Sequence, residues 1–140
     1  AYLAPLTFSF RQSLIIDWCE ACTNLEIPSS DKFKFISVLG LGINIQNWNI
    51  NGLPKDEFSI ENAVILENTD RSPLLVDPQG HANRWIKAKE RCNNLRVVRP
   101  SDQDYMKTVE TSLNAGNPVL LENVEEDLKA IILNPFFAIR

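Results

Sequence analysis

No apolar run in this 140-residue sequence approaches the roughly 18 residues that would suggest a membrane span. No basic run or stripe stands out either, and the formal net charge is -4. Nucleic-acid binding normally shows as clustered Lys and Arg, so neither nucleic acid nor a membrane is expected as a partner. The first residues lack the basic region, apolar stretch and small-residue cleavage site that mark a signal peptide. Cysteine is scarce: Cys19, Cys22 and Cys92 are three in number and irregularly spaced, which argues against a disulfide framework and fits a reducing compartment. Cys19–Glu20–Ala21–Cys22 is formally a C-x-x-C pair. A zinc ribbon needs a second pair, a redox motif wants a preceding strand, and His81 is the one histidine. Two cysteines on a helix is the plainer reading, and no metal is expected.

What is present is ordinary for a globular protein: 44% hydrophobic and 23% charged residues. The length suggests one domain, and a chain of this size buries roughly 70% of its unfolded surface, enough for a core. Leu14, Ile15, Trp18, Cys22 and Leu25 recur at helical spacing along one face. Pro28 with Ser29, Ser30 and Asp31 ends that helix and caps a short one through Phe33, Phe35, Ile36 and Leu39. Gly40 and Gly42 punctuate a loop, and residues 43–54 read as irregular, with Trp48 anchored against the core. From Ser59 two readings compete: Ser59 and Asn62 cap a helix through Val64 to Glu67, or Ala63 to Leu66 is a buried strand. Length favours the helix.

The second half reads more sharply. Pro73 to Val76 is a short apolar run followed by a turn rich in Pro and Gly. Ala82, Trp85, Ile86 and Ala88 then recur at helical spacing, and Leu95 to Val98 is a second, β-branched run. Ser101 or Asp102 caps a helix from Gln103 to Asn114, whose inner face is Tyr105, Met106, Val109 and Leu113, and Gly116 stops it. Pro118 to Leu121 is a third apolar run. Strand, helix, strand, helix, strand with short loops implies an α/β fold, a parallel sheet flanked by helices. Ligands of such sheets bind beyond the carboxyl ends of the strands, so the turns at Asp77 and Glu122 are expected close together.

A phosphate-binding loop, G-x-x-x-x-G-K-[ST] between strand and helix, uses its glycines to bring backbone N–H groups onto the phosphates. Its Lys reaches the terminal phosphates and its hydroxyl holds magnesium. The corresponding stretch is Asp77–Pro78–Gln79–Gly80–His81–Ala82–Asn83–Arg84, with all four defining positions replaced. Asp77, in place of the first Gly, repels phosphate; Ala82 adds a Cβ at the second. Asn83 removes the cation, and Arg84 cannot bind magnesium. Arg84 supplies charge, but one residue along a helix points about 100° away. After the third run, a hydrolysing site places Asp then Glu; this sequence has Glu122 and Asn123. Glu122 can still reach a metal, whereas Asn123 cannot take a proton from water, so the general base is lost. Charge-assisted hydrogen bonds to phosphate contribute roughly 1.5–3 kcal/mol each, so these losses remove most of the affinity for ATP. Taken alone, the stretch is also compatible with a strand–turn–helix of any α/β protein.

Longer motifs carry a resemblance over nearly the whole chain. They are Ala1 to Phe8, Trp48 to Asp56 with Phe58 to Asn62, Pro73 to Gly80 with Ala82–Asn83 and Trp85 to Lys87, and Gly116 to Val124. These resemble the fifth AAA+ module of dynein heavy chains, closer to the axonemal (ciliary) than to the cytoplasmic ones. Asp70–Arg71–Ser72 departs from the pattern, which usually has an aromatic where Ser72 stands. The resemblance implies a P-loop NTPase (AAA+) type large subdomain. Residues 1–58 form its N-terminal helical and loop segment, and 59–140 its core with a degenerate nucleotide loop. It implies a non-hydrolysing, structural and force-transmitting part of an ATP-driven, minus-end-directed microtubule motor, located in cytoplasm, cytoskeleton and cilium axoneme. Its partners are then the neighbouring AAA+ modules, the coiled-coil stalk and its buttress, and the microtubule through the parent chain. No cofactor is expected here, with ATP and Mg held by other modules. The remaining strands, sensor positions and small helical subdomain are expected beyond Arg140. A weak nucleotide-binding regulatory switch using Arg84 and Glu122, and a protein-binding α/β module using Trp48 and Trp85, are the alternatives.

Overall fold

The computed structural model describes residues 6–30, 33–70 and 72–124. The chain forms two compact units, residues 1–73 and 74–140.

The first unit is helical: α1 (Phe8–Asn24), α2 (Phe35–Leu39), α3 (Gly42–Ile50) and α4 (Glu57–Glu67). α1 follows the expected periodicity only partly. Ile15 is buried, but Trp18 and Leu25 are exposed, and the other buried residue of the helix is Arg11. The stretch read as irregular is α3. Leu41 starts it without a side-chain cap, and it closes when the N–H groups of Gly52 and Leu53 donate to the carbonyls of Asn49 and Trp48. Trp48 and Leu53 are both buried there, so the anchoring expected of Trp48 holds although its loop is a helix.

α4 settles the ambiguity at Ser59 in favour of helix. Its cap is Asp56, three residues before Ser59. The Asp56 Oδ1 accepts the Ser59 N–H at 2.8 Å and its Oδ2 accepts the Ser59 hydroxyl at 2.7 Å. α4 buries Ala63, Val64 and Glu61. Glu61 is satisfied by Gln12 of α1 at 3.2 Å and paired with Arg11 at 3.6 Å. Arg11 also donates to Asn62 Oδ1 at 2.8 Å and to the Leu6 carbonyl at 3.0 Å, and its guanidinium lies over the Phe58 ring. A polar knot thus joins α1 to α4, with α2 packed on α4 as well.

The second unit contains α5 (His81–Lys89), a 3₁₀ turn (Glu90–Asn93), β1 (Arg96–Val98), α6 (Tyr105–Asn114) and β2 (Val119–Leu121). The strands pair in parallel with Arg96 opposite Val119 and Val98 opposite Leu121, and α6 packs on both. A parallel pair needs a crossover, and α6 supplies it. α6 starts two residues later than expected, at Tyr105, because Asp102 accepts the Arg99 N–H at 2.9 Å instead of capping the helix. Its inner face is built on Val109 and Ser112, the latter bonded back to the Thr108 carbonyl. Gly116 (φ +71°) ends it, the N–H groups of Gly116 and Asn117 donating to Leu113 and Ser112, a Schellman closure.

One element differs from expectation. Leu74–Val76 is not a strand: it pairs with no segment among the described residues. An apolar run forms a strand only where a neighbour takes its N–H and C=O groups. Without one, Leu74 is 76% and Val76 90% exposed. The mixed α/β class with a parallel sheet and flanking helices stands.

Candidate functional site

The site lies at the carboxyl ends of β1 and β2, where α5 begins. Two features place Glu122 there. Its N–H donates to the Val98 carbonyl at 2.9 Å, one step past the ladder, and Asn123 turns the chain away with a left-handed φ of +54°. Asn is among the residues that tolerate that conformation.

The turn before α5 is built by Asp77 and Gly80. The Gly80 N–H donates to the Asp77 carbonyl at 3.2 Å, and Gly80 sits at φ +71°, a conformation that suits glycine. This bend returns the Asp77 side chain onto the start of the helix. Its Oδ1 accepts the His81 N–H at 3.0 Å and its Oδ2 the Asn83 N–H at 2.8 Å. These are first-turn donors that an α-helix leaves without partners of its own. Burial alone would push the Asp77 pKa up. The backbone N–H groups of Asn83, Ala82, His81 and Gly80 outweigh it and hold the carboxyl below its ordinary value.

Asn83 then links the turn to the sheet: its Nδ2 donates to Glu122 Oε1 at 2.7 Å. Lys87, one helical turn further on the same face of α5, pairs with the same oxygen. Arg99, directly after β1, donates from Nε to Glu122 Oε2 at 3.2 Å. Both carboxylate oxygens of the nearly buried Glu122 are therefore engaged. The Lys87 and Asn83 hydrogen bonds lead in lowering its pKa, burial opposes them, and Arg99 adds to the fall, leaving it at about 2. Glu122 is an anion held by three donors. Expected to be able to reach a metal, it instead points its oxygens at protein groups.

The structure brings Asp77, Gly80, Ala82, Asn83 and Glu122 into this cluster. Pro78, Gln79, His81, Arg84 and Asn123 are exposed at its margin. Lys87 and Arg99 were not among the sequence candidates. Lys87 could have been found from its four-residue spacing to Asn83. Nothing local marks Arg99, which meets Glu122 only through the β1–β2 register. Among the described residues no group of three or more His, Cys, Asp or Glu could hold a metal ion. Nor, among them, is any helix long and apolar enough to cross a membrane.

A parallel strand pair flanked by helices, with a turn–helix unit meeting the ends of the strands, is consistent with part of an AAA+ subdomain. Residues 46–137 match the family described as the ATP-binding dynein motor region. Dynein axonemal heavy chain 3 of Mus musculus is 45% identical over 132 residues, which is 94% of this chain. Dynein axonemal heavy chain 6 of Homo sapiens and dynein axonemal heavy chain 1 of Mus musculus are each 41% identical over 128 residues, 91% of this chain. The chain spans about 3% of the length of each of these relatives. It belongs to the dynein heavy chain family, as part of an AAA+ motor module.

Proposed function

We propose that this chain is the large-subdomain portion of the fifth AAA+ module of an axonemal dynein heavy chain, and that it transmits force without hydrolysing ATP. Residues 1–58 are the helical lead-in on this reading, and 59–140 the core carrying the former nucleotide loop. The parent chain is then an ATP-driven, minus-end-directed microtubule motor of the cytoskeleton and ciliary axoneme. This module would work between neighbouring AAA+ modules and the stalk with its buttress.

The observation that carries the reading is the Asp77 carboxylate seated on the first N–H groups of α5, where a nucleotide-binding loop receives phosphate. A triphosphate does not fit beside it, because like charges would meet in the same cradle. Magnesium does not fit Glu122, whose two oxygens already accept from Lys87, Asn83 and Arg99. Asn123 carries no base and lies exposed in a turn. The axonemal names of the relatives support the proposed location.

Asn123→Gly in the intact motor tests the mechanism, glycine accommodating the positive φ. Where this position supplies a general base, losing it costs about 10²–10⁴-fold in rate. Here the microtubule-stimulated ATPase is expected to stay within about twofold. A fall of about a hundredfold would refute the reading.

A further inference from the structure

The cluster replaces both halves of a missing ligand. A loop of this kind closes around an anion at the helix N-terminus and a cation at the acidic residue after the neighbouring strand. Here Asp77 provides the anion, accepting from His81 and Asn83. The Lys87 ammonium and the Arg99 guanidinium provide the cation on Glu122. The formal charges of Asp77, Glu122, Lys87 and Arg99 cancel, so the set is closed without an external ion.

We infer that the pocket is self-liganded: Asp77 plugs a latent oxyanion site at the start of α5, and the Glu122 cluster locks that helix permanently to the ends of β1 and β2. The inference rests on the reading of this turn as a former nucleotide loop. It goes further in assigning exclusion of the ligand to one side chain. The replaced glycine and lysine positions weaken binding, whereas Asp77 occupies the donors themselves. The lock also has a mechanical consequence. A module that binds nucleotide bridges its loop to the strand ends through the ligand only while the ligand is present. This one keeps the coupling throughout the motor's cycle, through Asn83 and Lys87 on α5, Arg99 after β1 and Glu122 after β2.

Amide hydrogen exchange on the intact protein tests this with inorganic pyrophosphate as the probe. Asp77→Ala is expected to speed exchange of the His81 and Asn83 amides about tenfold or more, the loss of a charge-assisted hydrogen bond. Exchange in α6 and β2 should hold. Pyrophosphate should restore protection at those two amides in Asp77→Ala and leave the wild type unchanged. Unaltered exchange in the variant, or no protection by pyrophosphate, would overturn the plug while leaving the non-hydrolysing reading intact. Pyrophosphate protecting the wild type would overturn both. Should Asp77→Ala not fold, Asp77→Asn decides by the same readings: faster exchange with rescue supports the plug, and neither overturns it.

Discussion

The side-chain amide of Asn83 donates to the Glu122 carboxylate across 2.7 Å, tying the first turn of α5 to the residue after β2. In a working phosphate loop the Asn83 position would hold a lysine directed at a ligand. Asn83→Ala should destabilise the second unit by about 1–2 kcal/mol, the value of a hydrogen bond to a charged acceptor less partial compensation by Lys87 and Arg99. Asn83→Asp should cost more, because two carboxylates then face each other. Urea unfolding midpoints of the two variants check the order, and an Asp variant as stable as the Ala variant would contradict it.

Acid should weaken the second unit through Glu122. Its folded pKa lies at about 2, below the ordinary 4.5. Its contribution is therefore complete above the ordinary value and is lost as pH falls toward the folded one. Lys87 and Arg99 are 41% and 55% exposed, so solvent screens both pairs and the effect is modest, about 1–2 kcal/mol. Glu61 in the first unit has the opposite sign. Burial raises its pKa, Arg11 offsets this in part, and Glu57 adds to the rise. Its contribution is greatest when protonated and is lost as pH rises through its folded value. Exchange rates corrected for intrinsic pH dependence should show β2 loosening on acidification while α4 does not loosen through Glu61. Glu122→Gln should flatten the β2 profile.

The buried Arg11 donates hydrogen bonds to Leu6 and Asn62, pairs with the buried Glu61 and lies over the partly exposed Phe58 ring. Arg11→Ala strands the Glu61 charge and should cost about 3 kcal/mol or more. Glu61→Gln retains an oxygen to accept from Gln12 and should cost about 1 kcal/mol. Thermal unfolding of the pair tests the asymmetry, and equal losses would count against a buried ion pair as the cause.

Gly116→Ala isolates backbone strain. A Cβ built at Gly116 meets nothing within 4 Å, yet φ is +71°. The variant should lose about 1 kcal/mol with no change in packing. A loss several times larger would mean the site is crowded.

The sequence revealed elements whose signals are local. Val109 spaced within α6, Gly116 at its end and the Val-rich β1 were all readable, and together they place Glu122 at the end of the sheet. α3 was hidden because Gly42, Asn44, Asn47 and Asn49 mimic a loop, while its stability comes from burying Trp48 and Leu53. Leu74–Val76 misled in the opposite way, since strand-like composition cannot report whether a partner strand exists. At the site, the replaced loop positions were visible as losses. Their new bonds were not, because Lys87 and Arg99 reach Glu122 only once helix and register are set. Sequence showed what Asp77 repels; the fold shows what it accepts.

Photo-crosslinking with an azido-ATP on the intact motor, followed by mapping of the labelled residues, tests the central claim most directly. The account predicts saturable label at other modules and none on Asp77–Arg84 or Val119–Asn123. Saturable label on either segment at micromolar nucleotide would contradict it.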